Sequence, residues 1–415
     1  MTTRHVDVLV VGGGPVGVLT AALLAQAGVD VLVVERRAEP SRSSRAIGLH
    51  PPGLEALARV GVADAVLADA VRVGRGVATS RGRTLGALSF GGVSPRFPFV
   101  ATTPLSWTEQ VLRSRLEALA PGALLRGRSA DSLDTTDRDR VRLTTSRSVA
   151  ADPDRAASDP AGSDPDRSTV EARFVVAADG PRSPVRTMLG APRDVRSYTD
   201  AYAMGDFADP DPRRARPDAA TGPGSPDAVI DVGPHGVVES FPLPDGTRRY
   251  VVWTDAPFDD RDPGAPATLA AIVRQRTGTA PDPATCTMVS GFRPHRGIVR
   301  RMVHGRVVLV GDAAHEISPI GGQGMNLGWL DAVALAPMLT DAIRTGGTIP
   351  VDALLAFERR QLRRARVAAR QAEWNMRLGR PAAGSAILAR EAGLRAALGL
   401  PTARLLADVY SMRHV

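Results

Sequence analysis

The chain has 415 residues, of which 43% are hydrophobic, and this length predicts two or three domains with cores of their own. Its formal net charge is +8, and all 52 basic residues are arginine because lysine is absent. The absence of lysine excludes Schiff-base chemistry and a Walker phosphate loop. The single cysteine, Cys286, excludes an internal disulfide and a paired-cysteine redox centre.

The positive charge does not by itself indicate a nucleic-acid partner. The arginines are spread along the chain, and the densest run, residues 359–370, has helical spacing with apolar residues between the charges. A solvated helix face accounts for that run, so we expect no nucleic-acid partner. No stretch of about 18 apolar residues occurs, and the first apolar run ends in glycines rather than at a cleavage site. We therefore expect a cytoplasmic protein without a membrane span.

The first predicted element is a strand that ends in a glycine-rich turn and continues into a helix. The turn and the start of the helix contain Gly12, Gly14, Pro15, Val16 and Gly17, and Glu35 closes the next strand. Gly12 permits the tight turn, Gly14 lets the backbone approach a pyrophosphate, and Gly17 lets the helix pack close to its strand. Phosphate charge would lie at the positive end of the helix, and Glu35 would accept hydrogen bonds from a ribose. The set predicts a dinucleotide site.

The next elements predict the start of a second lobe. An arginine-rich turn over residues 36–45, with Arg36 and Arg45, is followed by a helix at 51–60. Residues 71–100 contain short β-type runs interrupted by glycine, and residues 104–119, which include Gln110, return to a helical pattern.

Residues 129–168 are poor in apolar side chains and contain repeated Asp-Pro and Ser-Asp units, which predicts a mobile loop. A buried strand over residues 170–178 then leads into Asp179 and Gly180. Asp-Gly is a common turn dipeptide, but its position directly after a buried strand favours a functional role here.

Residues 193–285 predict the body of the second lobe. The candidate strands are 201–207, 228–232, 236–242 and 249–254, and Pro, Gly and Asp turns separate them. This pattern predicts an antiparallel sheet.

The last motif follows a buried strand at residues 306–310. It comprises Gly311, Asp312 and, three residues later, His315, with a long helix from Gly324 and a helical tail after residue 357. We expect His315 to be a structural hydrogen-bonding residue in preference to a catalytic base. The spacing of potential ligands predicts no metal site, and no Ser, His and acid set stands in a nucleophile-elbow context.

As an ordered set, the glycine turn, the Asp-Gly pair and the Gly-Asp motif resemble the single-component FAD-dependent aromatic hydroxylases of the para-hydroxybenzoate hydroxylase type. The resemblance covers residues 6–370. It implies an α/β fold, with a Rossmann-like FAD-binding domain of the glutathione-reductase type, an inserted antiparallel β-sheet substrate domain and a C-terminal helical segment. The domains it implies are 1–70, 101–190 and 286–356 for FAD, 71–100 and 191–285 for substrate, and 357–415 for the helical region.

The resemblance also implies which residues bind FAD. The glycine turn and Glu35 would hold the ADP half, Arg45 the phosphate and ribityl region, Gln110 the flavin side, and Asp312 the ribityl hydroxyls. The full implied set is Gly12, Gly14, Pro15, Val16, Gly17, Glu35, Arg36, Arg45, Gln110, Asp179, Gly180, Gly311, Asp312, Pro319, Gly322, Gly324, Met325 and Asn326.

Substrate would lie on the second-lobe sheet, facing the flavin. Alternation along the strands gives Met204, Phe207, Val237, Glu239, Phe241, Tyr250 and Trp253 as candidates, of which half must face the other way. The sheet offers no obvious arginine and tyrosine pair for a small benzoate, so we expect a larger phenolic or polyketide-like substrate.

The implied activity is a monooxygenase that uses NADPH or NADH and O2 to hydroxylate an aromatic ring through a flavin C4a-hydroperoxide. The same fold performing Baeyer–Villiger oxidation, epoxidation or dehydrogenation is the alternative. A flavin-dependent halogenase is disfavoured because the chain lacks both lysine and a Trp-x-Trp element. A non-catalytic FAD-binding protein is the alternative of a different functional class. We expect the protein to be a monomer or a homodimer.

Overall fold

The computed structural model describes residues 3–40, 46–148, 167–210, 227–399 and 403–413. Arg45 and residues 149–166 of the segment predicted as a mobile loop lie outside these residues. The strands, numbered in chain order, are β1 Thr3–Val11, β2 Val31–Glu35, β3 Gly48–Leu49, β4 Val71–Val73, β5 Arg75–Ser80, β6 Arg83–Ser89, β7 Val100–Thr102, β8 Leu124–Arg126, β9 Arg128–Asp134, β10 Val141–Arg147, β11 Ser168–Ala177, β12 Arg193–Ser197, β13 Ala201–Ala208, β14 Ala228–Asp231, β15 Val238–Pro242, β16 Thr247–Thr254, β17 Met288–Phe292, β18 His295–Val299, β19 Val303–His304, β20 Val307–Leu309 and β21 His315–Glu316. The helices are α1 Pro15–Gln26, α2 Pro51–Arg59, α3 Ala63–Leu67, α4 Leu105–Leu119, α5 Pro184–Met188, α6 Ala265–Thr277, α7 Gly324–Arg344, α8 Val351–Leu378, α9 Gly384–Gly399 and α10 Ala403–Tyr410.

The first lobe is built on an eight-stranded sheet whose central strands are parallel. Strand β1 pairs in parallel with β2 and β11, β11 pairs with β20, and β2 pairs with β8. Valine-rich β1, β2 and β11 are buried on both faces, as parallel strands covered by helices usually are. The motif-bearing strands β1, β11 and β20 are therefore neighbours, and all their carboxyl ends lie at one edge of the sheet. The expected Rossmann-like architecture is confirmed.

Helix α7 fixes the position of this edge. It packs along α1, and the Trp329 indole N–H donates a hydrogen bond to the carbonyl of Pro15 at 3.1 Å. A Cβ atom at Gly328 would lie 2.5 Å from Val16 Cγ2, so the two helices approach too closely there for any larger residue. The glycine turn and the start of α7 are held as one unit.

The second lobe is a seven-stranded sheet in the order β17-β13-β16-β15-β14-β5-β6. Its pairings are antiparallel, as predicted, except that β14 runs parallel to β5. The sheet is therefore mixed, and β5 and β6 come from an earlier part of the chain than the strands they join. Strand β17 also extends this sheet past residue 285.

One face of the second sheet is covered by α6, and the buried residues there form a small core around Phe207, Tyr250 and Leu269. The opposite face turns toward the first lobe. Ile320, from the loop before α7, packs on that face against Met204 and Val251. The sheet thus has one structural face and one face directed at the motif-bearing edge of the first sheet.

The predicted mobile loop over residues 129–168 is wrong in its first part. Strand β10 pairs with β11 on one side and with β9 on the other, so these two strands extend the first sheet. The side chains of Val141 and Leu143 are buried in the main core, which explains why a segment with few apolar residues is nevertheless ordered. The remainder of that prediction, including residues 151–166, falls outside the described residues.

Within the described ranges, no helix is long and apolar enough to cross a membrane. The same residues contain no cluster of three or more His, Cys, Asp or Glu side chains that would hold a metal ion.

Candidate functional site

The glycine turn after β1 is closed by backbone contacts that tolerate no side chain at two of its positions. Gly12 has a φ of +109°, and a Cβ atom on it would lie 2.3 Å from the carbonyl oxygen of Ala178. At Gly17, a Cβ atom would lie 1.9 Å from the carbonyl oxygen of Gly12. Gly14 differs, because no atom of the described residues lies within 4 Å of where its Cβ would be. The open space beside Gly14 belongs to a large cavity.

Glu35 is held by the backbone at the end of β2. Its carboxylate accepts a hydrogen bond from the Gly13 N–H at 2.7 Å and one from the Arg37 N–H at 2.9 Å. Glu35, Arg36 and Arg37 all line the cavity. Arg45 is not described, and its neighbour Ala46 also lines the cavity.

The Asp179–Gly180 pair follows β11 and lies on the opposite side of the glycine turn. Asp179 Oδ2 accepts a hydrogen bond from the Val185 N–H at 3.1 Å, whereas its buried Oδ1 has no partner in the described part of the chain. Burial raises the pKa of Asp179 above its usual range, and hydrogen bonds to the charged form oppose that effect. Gly180 has a φ of +85° and turns the chain into the α5 segment.

A buried arginine ties this pair to the third motif. Arg186 donates hydrogen bonds to the carbonyls of Ala313 at 3.0 Å and Pro181 at 2.8 Å. Arg186 was not predicted as a site residue, since its partner Ala313 lies far away in the chain. No local pattern could have indicated this role.

The Gly311–Asp312 turn is anchored from α7. Asp331 Oδ2 accepts a hydrogen bond from the Gly311 N–H at 2.9 Å and, at 2.6 Å, contacts His315 Nε2. Burial opposes the charge on His315, but the Asp331 carboxylate outweighs it and raises the pKa of the imidazole. His315 is 1% exposed and does not line the cavity. The structure therefore places His315 in a supporting position behind the turn.

Asp312 has the opposite environment. Its side chain is exposed to the cavity, which the fold surrounds, and it has no hydrogen-bond partner among the described residues. Burial raises the pKa of Asp312 to about 6. An unpartnered carboxyl group at this position is available to a ligand that donates hydrogen bonds.

The loop between Asp312 and α7 supplies a third wall of the cavity. Pro319, Gly322, Gly324 and Met325 line it, and Gly322 has a φ of +67°. Asn326 instead turns inward: its side chain accepts from the His50 N–H at 3.1 Å and donates to the carbonyls of Gly48 and Gly322.

His50, at the start of α2, also contributes to the cavity wall. Burial lowers the pKa of His50 to about 4, so the imidazole is neutral at physiological pH. Its Nδ1 atom is buried and has no partner within the described ranges.

Helix α4 lines the cavity, but through other side chains than the predicted Gln110. Gln110 is exposed and does not line the cavity, whereas Leu105, Glu109 and Arg113 do. Arg113 and Glu109 form an ion pair at 3.2 Å, one turn apart. The helix was predicted at the right place, but its rotation about its axis was not.

The predicted substrate residues divide between the two faces of the second sheet. Met204, Val237, Glu239 and Phe241 line the cavity. Phe207 and Tyr250 face the other way and pack against α6, and the Trp253 indole donates to Asp200 Oδ1 at 3.1 Å instead of lining the cavity. The register pairs Met204 with Val251 and Val251 with Glu239, so Val251 shares their face, and Arg249, two residues before it, also lines the cavity.

The C-terminal helices form a wall of the cavity that was not predicted from the sequence. The lining residues from α8, α9 and α10 include Trp374, Leu378, Arg390, Leu394, Leu398 and Tyr410. Glu391 fastens α9 to the second sheet by accepting hydrogen bonds from Ser80 Oγ at 2.7 Å and Arg81 Nε at 2.8 Å. The helical periodicity of this tail was evident, but nothing local indicated which surface it would cover.

All these walls enclose one cavity of about 1210 Å³. Its first-lobe end carries the glycine turn and several arginines, and its second-lobe end is mostly apolar. The arginines are Arg36, Arg37, Arg113, Arg126, Arg128 and Arg182. Arginines beside a helix N-terminus suit a pyrophosphate, and an apolar end suits an aromatic ring system.

The residues present fit FAD. The open space at Gly14, the unpartnered Asp312 carboxyl group and the orphaned Asp179 Oδ1 all face or border the same cavity. Buried polar atoms without protein partners are uncommon, and a ligand with hydroxyl and amide groups would satisfy them.

Comparison with known proteins places the chain in a family. The family model described as FAD binding domain matches residues 5–372. Protoasukamycin 4-monooxygenase from Streptomyces nodosus subsp. asukaensis is 30% identical over 367 residues, which cover 83% of this chain and 82% of that protein. 6-Methylpretetramide 4-monooxygenase from Streptomyces rimosus is 32% identical over 81% of this chain, but the match spans only 56% of that protein's length.

Solved structures give the same result at the level of the fold. The p-nitrophenol 4-monooxygenase PnpA from Pseudomonas putida DLL-E4 superposes with a TM-score of 0.80 at 24% identity, covering 100% of this chain and 97% of that one. The anhydrotetracycline hydroxylase OxyS from Streptomyces rimosus superposes with a TM-score of 0.75 at 27% identity, covering 99% and 77%. The chain therefore belongs to the FAD binding domain family, among the class A FAD-dependent aromatic monooxygenases.

Proposed function

We propose that this protein is an FAD-dependent monooxygenase that uses NADPH or NADH and O2 to hydroxylate a phenolic or polyketide-like aromatic substrate. The observation that carries the proposal is the single cavity, which joins the glycine turn and Asp312 to the apolar face of the second sheet. A cofactor held at one end and a ring system held at the other would then meet inside one enclosed space.

Bound FAD would supply the redox chemistry, accepting hydride from the nicotinamide and activating oxygen. The chain would supply binding and orientation. The glycine turn would hold the pyrophosphate, Glu35 the ribose, and Asp312 the ribityl chain, while residues 319–325 would border the flavin ring. The apolar side chains of the second sheet would exclude water from the reacting groups.

The size and polarity of the cavity support a substrate of several fused rings. Its sheet-side wall is formed by Met204, Val251, Phe241 and Phe292, and the C-terminal helices close it from the other side. The proteins compared above include enzymes named for tetracycline-type substrates, which also favours a polyketide-like compound. The chain spans about half to two thirds of the length of several of those relatives, so its substrate is inferred from its own cavity.

We propose the same division into lobes as the sequence analysis, with the boundary of the substrate lobe moved from residue 285 to include β17. We further propose that the enzyme acts in the cytoplasm as a monomer or homodimer.

The test uses the purified full-length protein with candidate polycyclic phenols. We expect about one FAD per chain, faster NADPH oxidation when the substrate is present, and one atom of labelled oxygen in the product. A colourless protein that takes up no FAD would overturn the proposal. Label found only in water or hydrogen peroxide would assign the chain to an oxidase or dehydrogenase activity.

A further inference from the structure

A single carboxyl group stands on the apolar, sheet-side wall of the cavity. Glu239 lies in β15 between Val237 and Phe241 on the cavity-facing side of the strand, in register with Val251 on one side and Ile230 on the other. All four of these neighbours are apolar. Ile320, from the flavin-side loop, packs against the same region, so Glu239 lies where the two lobes meet.

No charged side chain in the described part of the chain neutralises Glu239. Among the described residues, no group donates a hydrogen bond to it or lies within ion-pair distance. The nearest basic residue on the adjoining strand, Arg249, is held by Asp206, with Nε–Oδ1 and Nη2–Oδ2 distances of 2.6 and 2.7 Å. From α9, Arg390 donates to backbone carbonyls, including that of Val232 at 2.6 Å.

The remaining titratable groups around this wall do not pair with Glu239 either. On β14, Asp231 accepts from Thr79 Oγ1 and the Gly233 N–H. Helix α8 presents Trp374 and Asn375, neither of which is charged. Burial raises the pKa of Glu239 to about 7, so the carboxyl group changes charge near neutral pH.

Two tyrosine hydroxyls are further polar groups in the region around Glu239. Tyr202 is fully buried, and its hydroxyl has no hydrogen-bond partner in the part of the chain that the structure describes. Tyr410, from α10, donates to Asn375 Oδ1 at 2.9 Å and lines the cavity. Burial first, and the Glu239 charge second, raise the pKa of both phenols, so both stay neutral and cannot take a proton from a ligand.

A structural role does not account for Glu239. A buried carboxyl group without a partner costs stability, and a glutamine of the same shape would avoid the cost of ionisation. Side chains that destabilise the fold in this way are concentrated in functional sites.

We propose that Glu239 accepts the hydroxyl proton of a phenolic or enolic substrate bound in the cavity. The proton moves from the substrate oxygen to a carboxylate oxygen of Glu239, and the electron pair of the broken O–H bond stays on the substrate oxygen. Nothing is oxidised in this step. The oxyanion makes the adjacent carbons richer in electrons, which prepares them for attack by an electrophilic oxygen atom.

This role rests on the proposed function, since it names the substrate group that the same cavity recognises. A base whose pKa lies near the working pH is the most effective proton acceptor. Glu239 meets that condition because of its apolar surroundings, and the acidic groups on the neighbouring strands, Asp206 and Asp231, are engaged in hydrogen bonds.

The test compares the binding of two matched probes, 2-naphthol and 2-methoxynaphthalene, to the FAD-loaded protein. At about pH 8, where the carboxylate form dominates, we expect the wild type to bind the naphthol roughly tenfold more tightly than the ether, as a charged hydrogen bond predicts. In the wild type, the preference for the naphthol should decline below about pH 7, because the carboxylate takes up a proton. Glu239→Gln should remove both the preference and this dependence on pH. Glu171→Gln, whose side chain lies in β11 on the first sheet, is the control that should behave as the wild type.

The possible results separate this role from the proposed function. Failure of the wild type to bind FAD would refute the proposed function. If FAD is bound but the naphthol and the ether bind equally, or neither binds, the role of Glu239 is overturned. Tighter binding of 2-naphthylmethylamine than of 2-naphthol would also overturn it, because the carboxylate would then recognise a cation. Thermal unfolding of Glu239→Gln at or above the wild-type midpoint would show that any loss is not a folding defect.

Discussion

The glycine turn offers a test that separates cofactor binding from folding, because two of its glycines differ in what surrounds them. At Gly14, no atom of the described chain lies within 4 Å of the place that a Cβ would take, and the backbone is extended with φ −76°. Any residue adopts this conformation, so Gly14→Val should cost the FAD-free protein only about 1 kcal/mol or less, through the poorer helix cap. The added side chain would instead occupy the space that we assign to the pyrophosphate.

The loss of affinity follows from the contacts that a displaced pyrophosphate gives up. Each hydrogen bond between a charged group and a backbone N–H contributes about 1.5–3 kcal/mol, so losing even one should weaken FAD binding roughly 10- to 100-fold. Gly17→Ala is the matched contrast. Its Cβ would lie 1.9 Å from the Gly12 carbonyl oxygen, so it should destabilise the FAD-free protein itself, by about 1–3 kcal/mol or more.

The assay is FAD titration by quenching of flavin fluorescence, combined with the unfolding midpoint of the FAD-free protein. We expect Gly14→Val to keep its midpoint and lose FAD, and Gly17→Ala to lower its midpoint. Stoichiometric FAD in a folded Gly14→Val variant would refute the assignment of this space to the pyrophosphate.

Three further predictions concern the groups around the cavity. Asp312 has a folded-state pKa near 6, above its ordinary value, so its ionisation destabilises the FAD-free fold as the pH rises through that range. Asp312→Asn should therefore raise the FAD-free midpoint at neutral pH but not near pH 4, and it should weaken FAD binding. His315→Ala removes the ion-pair partner of buried Asp331, leaves that carboxylate the Gly311 N–H, and should destabilise the fold by about 3 kcal/mol in urea unfolding. Glu391→Gln should loosen α9 and speed proteolysis of the C-terminal segment, because it loses its charged hydrogen bonds to Arg81 and Ser80.

Each of these predictions has a result that contradicts it. An Asp312→Asn midpoint that shifts equally at all pH values would show that ionisation is not the cause. Unchanged unfolding of His315→Ala would remove the supporting role of the imidazole. Arg395→Gln is the control for Glu391, since Arg395 reaches that carboxylate only at 4.0 Å. Equal proteolysis of both variants would contradict the fastening of α9.

The sequence by itself determined the features that depend on local sterics. The glycine turn was predictable because Gly12 needs a positive φ and Gly17 a close approach, and both requirements are met within a few residues of chain. The buried strands before Asp179 and Asp312 were predictable from their runs of apolar residues. The family resemblance implied that the three motifs bind one cofactor, and the parallel strands bring their carboxyl ends to one edge, around one cavity.

Only the tertiary structure decided which side chains of each element reach the cavity. Alternation along β16 allowed either Tyr250 or Val251 to face inward, and pairing with β13 and β15 selected Val251. The same limit applies to α4, where rotation of the helix turned Glu109 inward and Gln110 outward. The periodicity of side chains along a strand or helix defines its two faces but does not determine which face meets the neighbouring lobe.

Contacts between distant parts of the chain could not be predicted from the sequence. Asn326 was expected to contact the cofactor, yet it holds Gly48 and His50, which are far from it in sequence. The isolation of Glu239 depends on what its neighbours do: Arg249 is held by Asp206, and the described C-terminal helices close the wall without adding a cation that pairs with it. A carboxyl group's charge state is set by the groups that fold around it, and those come together only in the folded chain.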